Sequence, residues 1–181
     1  MAPNATIYRV ELQVTDMDRH YYAGHVFSLA QHPSETPGRL MLRLAAFALY
    51  ADERLEFGRG LSTADDADLW QRDYTGQIER WIDLGQPDDT RVRRACARAG
   101  EVVVVNYGGQ AAEAWWDRHA GAFSRLPNLT VLDVAPADVE ALTALLERSV
   151  RLTAMIQDGE LQLMSERLNV AVTPRVRKRG R

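Results

Sequence analysis

The sequence predicts a mixed α/β fold: a central mixed β-sheet with flanking helices and a β-hairpin near each end. Three observations predict it. Between Gly76 and Val134, strand-like and helix-like segments alternate in βαβαβ order, which implies parallel strands joined by right-handed crossovers. Alternating runs flank a turn at Asp16–Arg19, and others flank Asp158-Gly159, the strongest short hairpin signal in the chain. The length of 181 residues and a hydrophobic content of 46% suit one domain, expected over residues 1–173 and followed by a basic, mobile tail at 174–181.

The elements follow in order. Ala5–Thr15 alternates apolar and polar residues and reads as a strand, and His20–Gln31 is its hairpin partner. Ser34 or Thr36 can cap a helix whose first turn accepts Pro37. Residues 40–50 are apolar nearly all round, so that helix is buried. Gly58–Gly60 and Ser62–Asp66 are loop signals. Gly76–Gly85 is a strand, and Asp88 or Asp89 caps a helix that Gly100 is expected to end. Glu101–Asn106 is a continuous apolar run, the mark of a strand covered on both faces. A helix at Gln110–Ala120, a strand at Leu129–Val134 and an amphipathic helix at Asp138–Ser149 come next. Arg151–Gln157 and Glu160–Glu166 form the second hairpin, and Asn169–Thr173 adds a last strand.

Bulk chemistry narrows the function. A net charge of −3 gives no global attraction to nucleic acid or anionic lipid, so such binding needs a local patch. The lone Cys96 excludes an intramolecular disulfide and a cysteine zinc site. The N-terminus lacks a basic segment followed by an apolar run, and Leu40–Tyr50 is too short to cross a bilayer, so a cytoplasmic location without membrane contact is expected. Of the 22 Lys plus Arg residues only Lys178 is a lysine, which removes lysine chemistry from everything before the tail.

The unusual strand is Gly76–Gly85. Glu79, Trp81 and Asp83 share one face by the period of two, so two acids stand where a core face should be apolar. They lie roughly 13 Å apart along a flat strand, at ~3.3 Å per residue. Buried acids require counter-charges or a metal.

The segments HPSET (32–36), YADE (50–53), Arg59-Gly60-Leu61, DLW (68–70), GQIERWIDLGQPD (76–88), AWWDRH (114–119) and TAMIQDGELQL (153–163) together resemble the YaeQ family of bacterial proteins. The resemblance runs from about Ala5 to Val172. It implies a compact variant of the PD-(D/E)XK nuclease fold, with a restriction-endonuclease-like core and Mg²⁺- or Mn²⁺-dependent cleavage of nucleic acid. Glu35 then matches the acid of the first core helix. Glu79, in Gly76-Gln77-Ile78-Glu79, matches the second-motif acid, and Asp83 is the candidate for the third motif. These three are the implied metal ligands. Asp68, where a Pro-Asp pair would stand, is a further catalytic candidate. The motif lysine is absent: Trp81, Gly85 and Val103 occupy the positions two after Glu79, Asp83 and Glu101. Arg91, Arg94 and Arg98 share a face of the next helix, and Arg94 is the expected substitute.

Such residues suit phosphodiester hydrolysis. Carboxylates holding Mg²⁺ at about 2.1 Å leave coordination sites for water and a phosphate oxygen. An arginine can bind phosphate bidentately, but it cannot act as a base, because its pKa exceeds about 12. With arginine in place of lysine the alternative is a non-catalytic module that binds nucleic acid or protein. Every acid also has an ordinary structural reading. Glu35 can pair with Arg39 at i+4, Asp68 can cap a turn, and Glu79 and Asp83 can pair with arginines. Adjacent Trp115 and Trp116 cannot both face the core, so one is a candidate stacking surface. The tail's Arg175, Arg177, Lys178, Arg179 and Arg181 are either a phosphate-backbone contact or a solubilising end.

Overall fold

The computed structural model describes residues 4–59 and 64–181. Residues 60–63, part of the expected loop and of the Arg59-Gly60-Leu61 motif, lie outside the described residues. Two compact units share the chain. The first comprises Met1–Ala51, Leu61–Thr63 and Ala137–Thr173, and the second Asp52–Gly60, Ala64–Pro136 and Pro174–Arg181. The units interleave along the chain, so no linker marks a boundary.

The first unit carries a sheet in the order β10-β9-β8-β1-β2. β1 (Thr6–Asp16) and β2 (Tyr21–Gln31) form the expected N-terminal hairpin, with Thr6 opposite Gln31 and Asp16 opposite Tyr21. β8 (Ser149–Gln157) and β9 (Glu160–Met164) form the second hairpin around Asp158-Gly159, and β10 (Asn169–Val172) continues it. Asp18 fixes that turn by accepting from Asp158 N at 2.8 Å and Gly159 N at 2.9 Å. The two hairpins join each other: β1 runs parallel to β8, pairing Arg9 with Ser149 through to Asp16 with Ile156. They therefore form a sheet of their own and are not edge additions to the central one.

α1 (Pro37–Leu49) begins where the sequence places it, with Thr36 as the cap accepting from Arg39 N at 3.1 Å. Its residues 40–48 are all buried, Arg43 included. Phe47 meets the rings of His25 and Phe27 on β2, each at 5.0 Å between centroids. α4 (Pro136–Thr143) is shorter than the expected Asp138–Ser149. Its end tightens into i→i+3 bonds (Leu145 N to Leu142 O, 3.0 Å), and Ser149 is drawn into β8.

The second unit carries a sheet in the order β11-β7-β6-β5-β4-β3. β5 (Ile78–Leu84), β6 (Ala99–Tyr107) and β7 (Leu129–Val134) are parallel, as the βαβαβ pattern requires. α2 (Asp89–Arg98) and α3 (Gln110–Phe123) are the crossovers. β3 (Leu55–Phe57) and β4 (Leu69–Arg72) add antiparallel strands that periodicity did not reveal, because both are short. Gly100 does not end α2. The chain is extended from Ala99 onward, and Gly100 lies inside β6, where an added Cβ would come within 3.1 Å of Glu79 O. The tail is not a loose end either: β11 (Arg175–Lys178) pairs antiparallel with β7. The core of this unit includes Trp81, Val92, Val102, Val104, Trp115, Phe123, Leu129 and Val131.

Candidate functional site

Asp83 lies near the carboxyl end of β5. This strand is buried at every position from Trp81 to Leu84, so its second half is covered on both faces. Gly85 (φ 91°) turns the chain, and Asp88 caps α2 by accepting from Arg91 N at 2.7 Å. The turn brings Arg91, in the first turn of α2, back onto Asp83. Arg91 donates from Nε to Oδ2 at 2.7 Å and from Nη2 to Oδ1 at 3.0 Å, a bidentate pair. It also donates to Asp66 O at 2.7 Å and to Ala64 O. Its guanidinium lies 5.5 Å from the centre of the Trp81 ring, and that of Arg98 lies at the same distance. The bonds to Asp83, reinforced by the charges of Asp83, Asp68 and Asp88, raise the Arg91 pKa above the ordinary guanidinium value and outweigh its partial burial.

Asp68 immediately precedes β4. Because Leu69 pairs with Ile82, Asp68 stands opposite Asp83 across the β4–β5 ladder. It is buried, and its Oδ2 accepts from Leu84 N at 2.8 Å. Asp68 and Asp83 are thus brought together. Glu79 is not: it sits near the other end of β5, exposed, and takes Arg54 Nη1 and Gln71 Nε2, both at 2.8 Å.

Glu35 belongs to the first unit, in the turn before α1. Arg43 embraces it through Nη2 to Oε1 at 2.7 Å and Nε to Oε2 at 3.0 Å, and Arg39 adds Nη1 to Oε2 at 2.6 Å. Both Glu35 and Arg43 are almost wholly buried, at 2% and 4% side-chain exposure.

A family model described as YaeQ protein matches residues 1–174. The chain belongs to the YaeQ family. It is 40% identical over 172 residues to the uncharacterized protein YaeQ of Salmonella typhi and to that of Escherichia coli (strain K12), covering 95% of each chain. The fold is similar to the crystal structure of YaeQ protein from Xanthomonas axonopodis pv. citri, with a TM-score of 0.94 and 58% identity over 96% of this chain and 98% of that one. It is also similar to that of YaeQ protein from Pseudomonas syringae, with a TM-score of 0.92 and 31% identity over 97% of both chains.

In this YaeQ-family chain the candidate acids, as arranged, do not fit a resident divalent cation. Both oxygens of Asp83 face one guanidinium, and both of Glu35 face Arg43. A metal would have to displace an arginine and then sit beside its charge. Among the described residues, no three His, Cys, Asp or Glu side chains gather as a metal-holding group. The cation beside Asp83 is Arg91 and not the expected Arg94. Arg94 is 63% exposed and, among the described residues, reaches only Asp65, at 4.0 Å between exposed side chains. Its place explains the difference: Arg91 follows the Gly85 turn in the first helical turn, whereas Arg94 points away to solvent.

Sequence reasoning missed Arg43, Arg54 and Arg91 as partners. Arg91 had a usable signal: an acid ending a strand, a glycine turn, and an arginine three residues past the helix cap. The two tryptophans divide as expected. Trp115 is buried and donates from Nε1 to Pro87 O at 2.8 Å, while Trp116 is half-buried.

Proposed function

We propose that the chain is a nuclease-like scaffold that binds nucleic acid without hydrolysing it. The observation that carries the non-catalytic half is the bidentate closure of Asp83 by Arg91, with Glu35 closed in the same way by Arg43. Hydrolysis needs carboxylate oxygens open to a metal, or a base to deprotonate water. An arginine-locked carboxylate offers neither, and the guanidinium cannot accept a proton. The superfamily resemblance supports the scaffold and the class of partner. On this reading Asp68, just before β4, and Asp83, on β5, correspond to a nuclease acid pair, and their charge is spent on Arg91 and on the Leu84 amide.

The test is a labelled oligonucleotide, single-stranded or duplex, incubated with the protein in Mg²⁺, in Mn²⁺ and in EDTA. The expected result is binding in all three, no stronger with the divalent ions than in EDTA, and intact oligonucleotide throughout. Cleavage that requires the metal and disappears in both Asp83→Ala and Glu79→Ala would overturn the reading in favour of a metal-dependent nuclease. No binding in any condition would overturn it altogether.

A further inference from the structure

A second charged surface lies on α3, the loop after it, and the C-terminal strand. There Trp116, Ala120 and Ser124, at i, i+4 and i+8 of one helical face, form one wall of a groove of about 570 Å³. Arg125, Pro127, Arg177, Lys178, Arg179 and Arg181 form the rest. The cations divide into two groups. Arg177 is spent on Asp133 (Nη2 to Oδ2, 3.0 Å) and on Glu113. Lys178 is spent on Leu126 O at 2.8 Å and Leu129 O at 2.9 Å, and burial lowers its pKa below the ordinary lysine value. Arg125, Arg179 and Arg181 are exposed and pair with no carboxylate of the described residues.

The tail that presents Arg179 and Arg181 is held in place. Gly180 N donates to Thr130 Oγ1 at 2.9 Å and Arg181 N to Pro127 O at 2.8 Å. A Cβ at Gly180 would come within 3.1 Å of Asn128 C and of Thr130 Oγ1, so the backbone packs closely there. Three guanidiniums that pair with no carboxylate of the described residues therefore line one groove with a half-buried indole, in a protein whose net charge is −3. A protein with an overall negative charge gains nothing in solubility from gathering cations on one face. A groove that combines cations for a backbone with an aromatic face for a base is the arrangement that takes single-stranded nucleic acid. An anionic membrane would be met by cations without need of a groove or a stacking ring.

We infer that the Trp116–Arg125–Arg179–Arg181 groove is the binding site for a single strand of nucleic acid, the guanidiniums holding phosphates and Trp116 stacking a base. This inference rests on the nucleic-acid reading above and gives it a groove whose lining includes none of the arginine-locked acids. Three phosphate contacts predict a slope of log K against log salt of about −2, from ~0.7 per phosphate on a single strand. That is a fall of about 20-fold in affinity between 50 and 200 mM salt. A duplex, whose bases are not free to stack, should bind at least about tenfold more weakly.

The experiment is fluorescence anisotropy of a labelled single strand against the wild-type protein, Trp116→Leu, and Arg125→Gln/Arg179→Gln/Arg181→Gln. Unchanged circular dichroism confirms that each variant is folded. The expected result is a slope near zero for the triple variant and about tenfold weaker binding for Trp116→Leu. Wild-type binding that the triple variant reproduces in strength and slope would overturn the groove assignment and leave the nucleic-acid reading standing. Absence of wild-type binding would overturn both. Capture of vesicles rich in anionic lipid, with no oligonucleotide binding and the same arginine dependence, would replace the strand with a membrane surface.

Discussion

Replacing Arg91 with methionine should cost about 3 kcal/mol of stability. The Asp83 side chain is 4% exposed and that of Arg91 29%. Removing one partner of a buried pair costs about 3–5 kcal/mol, because the other charge is left without compensation. Water reaches the arginine side of this pair, so the lower end applies. Asp83→Leu should cost less, about 2 kcal/mol, since Arg91 keeps its bonds to Asp66 O and Ala64 O and its partial exposure. The double variant Asp83→Leu/Arg91→Met should lie close to the milder single variant, giving a coupling of about 3 kcal/mol in a double-mutant cycle. Urea unfolding followed by tryptophan fluorescence suits the measurement. Trp70, Trp81, Trp115 and Trp116 are the protein's four tryptophans and all belong to the unit that holds the pair. The denaturant slope should stay constant across the cycle. Additive losses, or an Arg91→Met variant as stable as wild type, would refute the view that this arginine is the structural partner of Asp83.

The other acids should behave according to their burial. Arg43→Met, which leaves Glu35 buried with Arg39 as its remaining partner, should cost about 3 kcal/mol. Glu79→Ala, at an exposed ion pair, should cost under about 1 kcal/mol; circular dichroism melts report both. Hydrogen bonds from Gly159 N, then Asp158 N, hold the Asp18 carboxyl below its ordinary value. A lowered folded pKa means that its contribution is complete above the unfolded value of about 3.9 and is lost as the pH falls through the folded value. Acid unfolding below about pH 4 should therefore be shallower in Asp18→Asn than in wild type. Burial pushes the Cys96 thiol up to about 11 from its usual 9.0. Its thiolate fraction at pH 8 is then about 100-fold lower, so alkylation followed by mass spectrometry should be slower than that of a free thiol, by about tenfold once the greater nucleophilicity of the more basic thiolate is counted.

Much of the fold was legible because local rules sufficed. The period of two marked β1, β2, β8 and β9, and the Thr36 and Asp88 caps marked the starts of α1 and α2. Partners of strands were not legible. Periodicity tells a strand which face is buried but not which strand lies beside it, so the β1–β8 pairing across the chain and the resulting second sheet were missed. The tail was misread for a related reason. Its composition is that of a disordered end, yet β7 offers it an edge, Asp133 and Glu113 pair with Arg177, and the Leu126 and Leu129 carbonyls accept from Lys178. At the candidate site the acids were found and their partners were not. A carboxylate at a strand end looks the same in sequence whether a metal or an arginine eight residues later satisfies it, and only the Gly85 turn decides that Arg91 returns to Asp83.

That choice between metal and arginine can be measured directly. Electron paramagnetic resonance of free Mn²⁺, titrated with wild-type protein and with Asp83→Asn, counts bound ions without reference to any substrate. With Asp83 and Glu35 locked by arginine, the free Mn²⁺ signal should fall no further in wild type than in Asp83→Asn, with no stoichiometric site in either. One tightly bound Mn²⁺ per wild-type chain, lost in Asp83→Asn, would contradict the account.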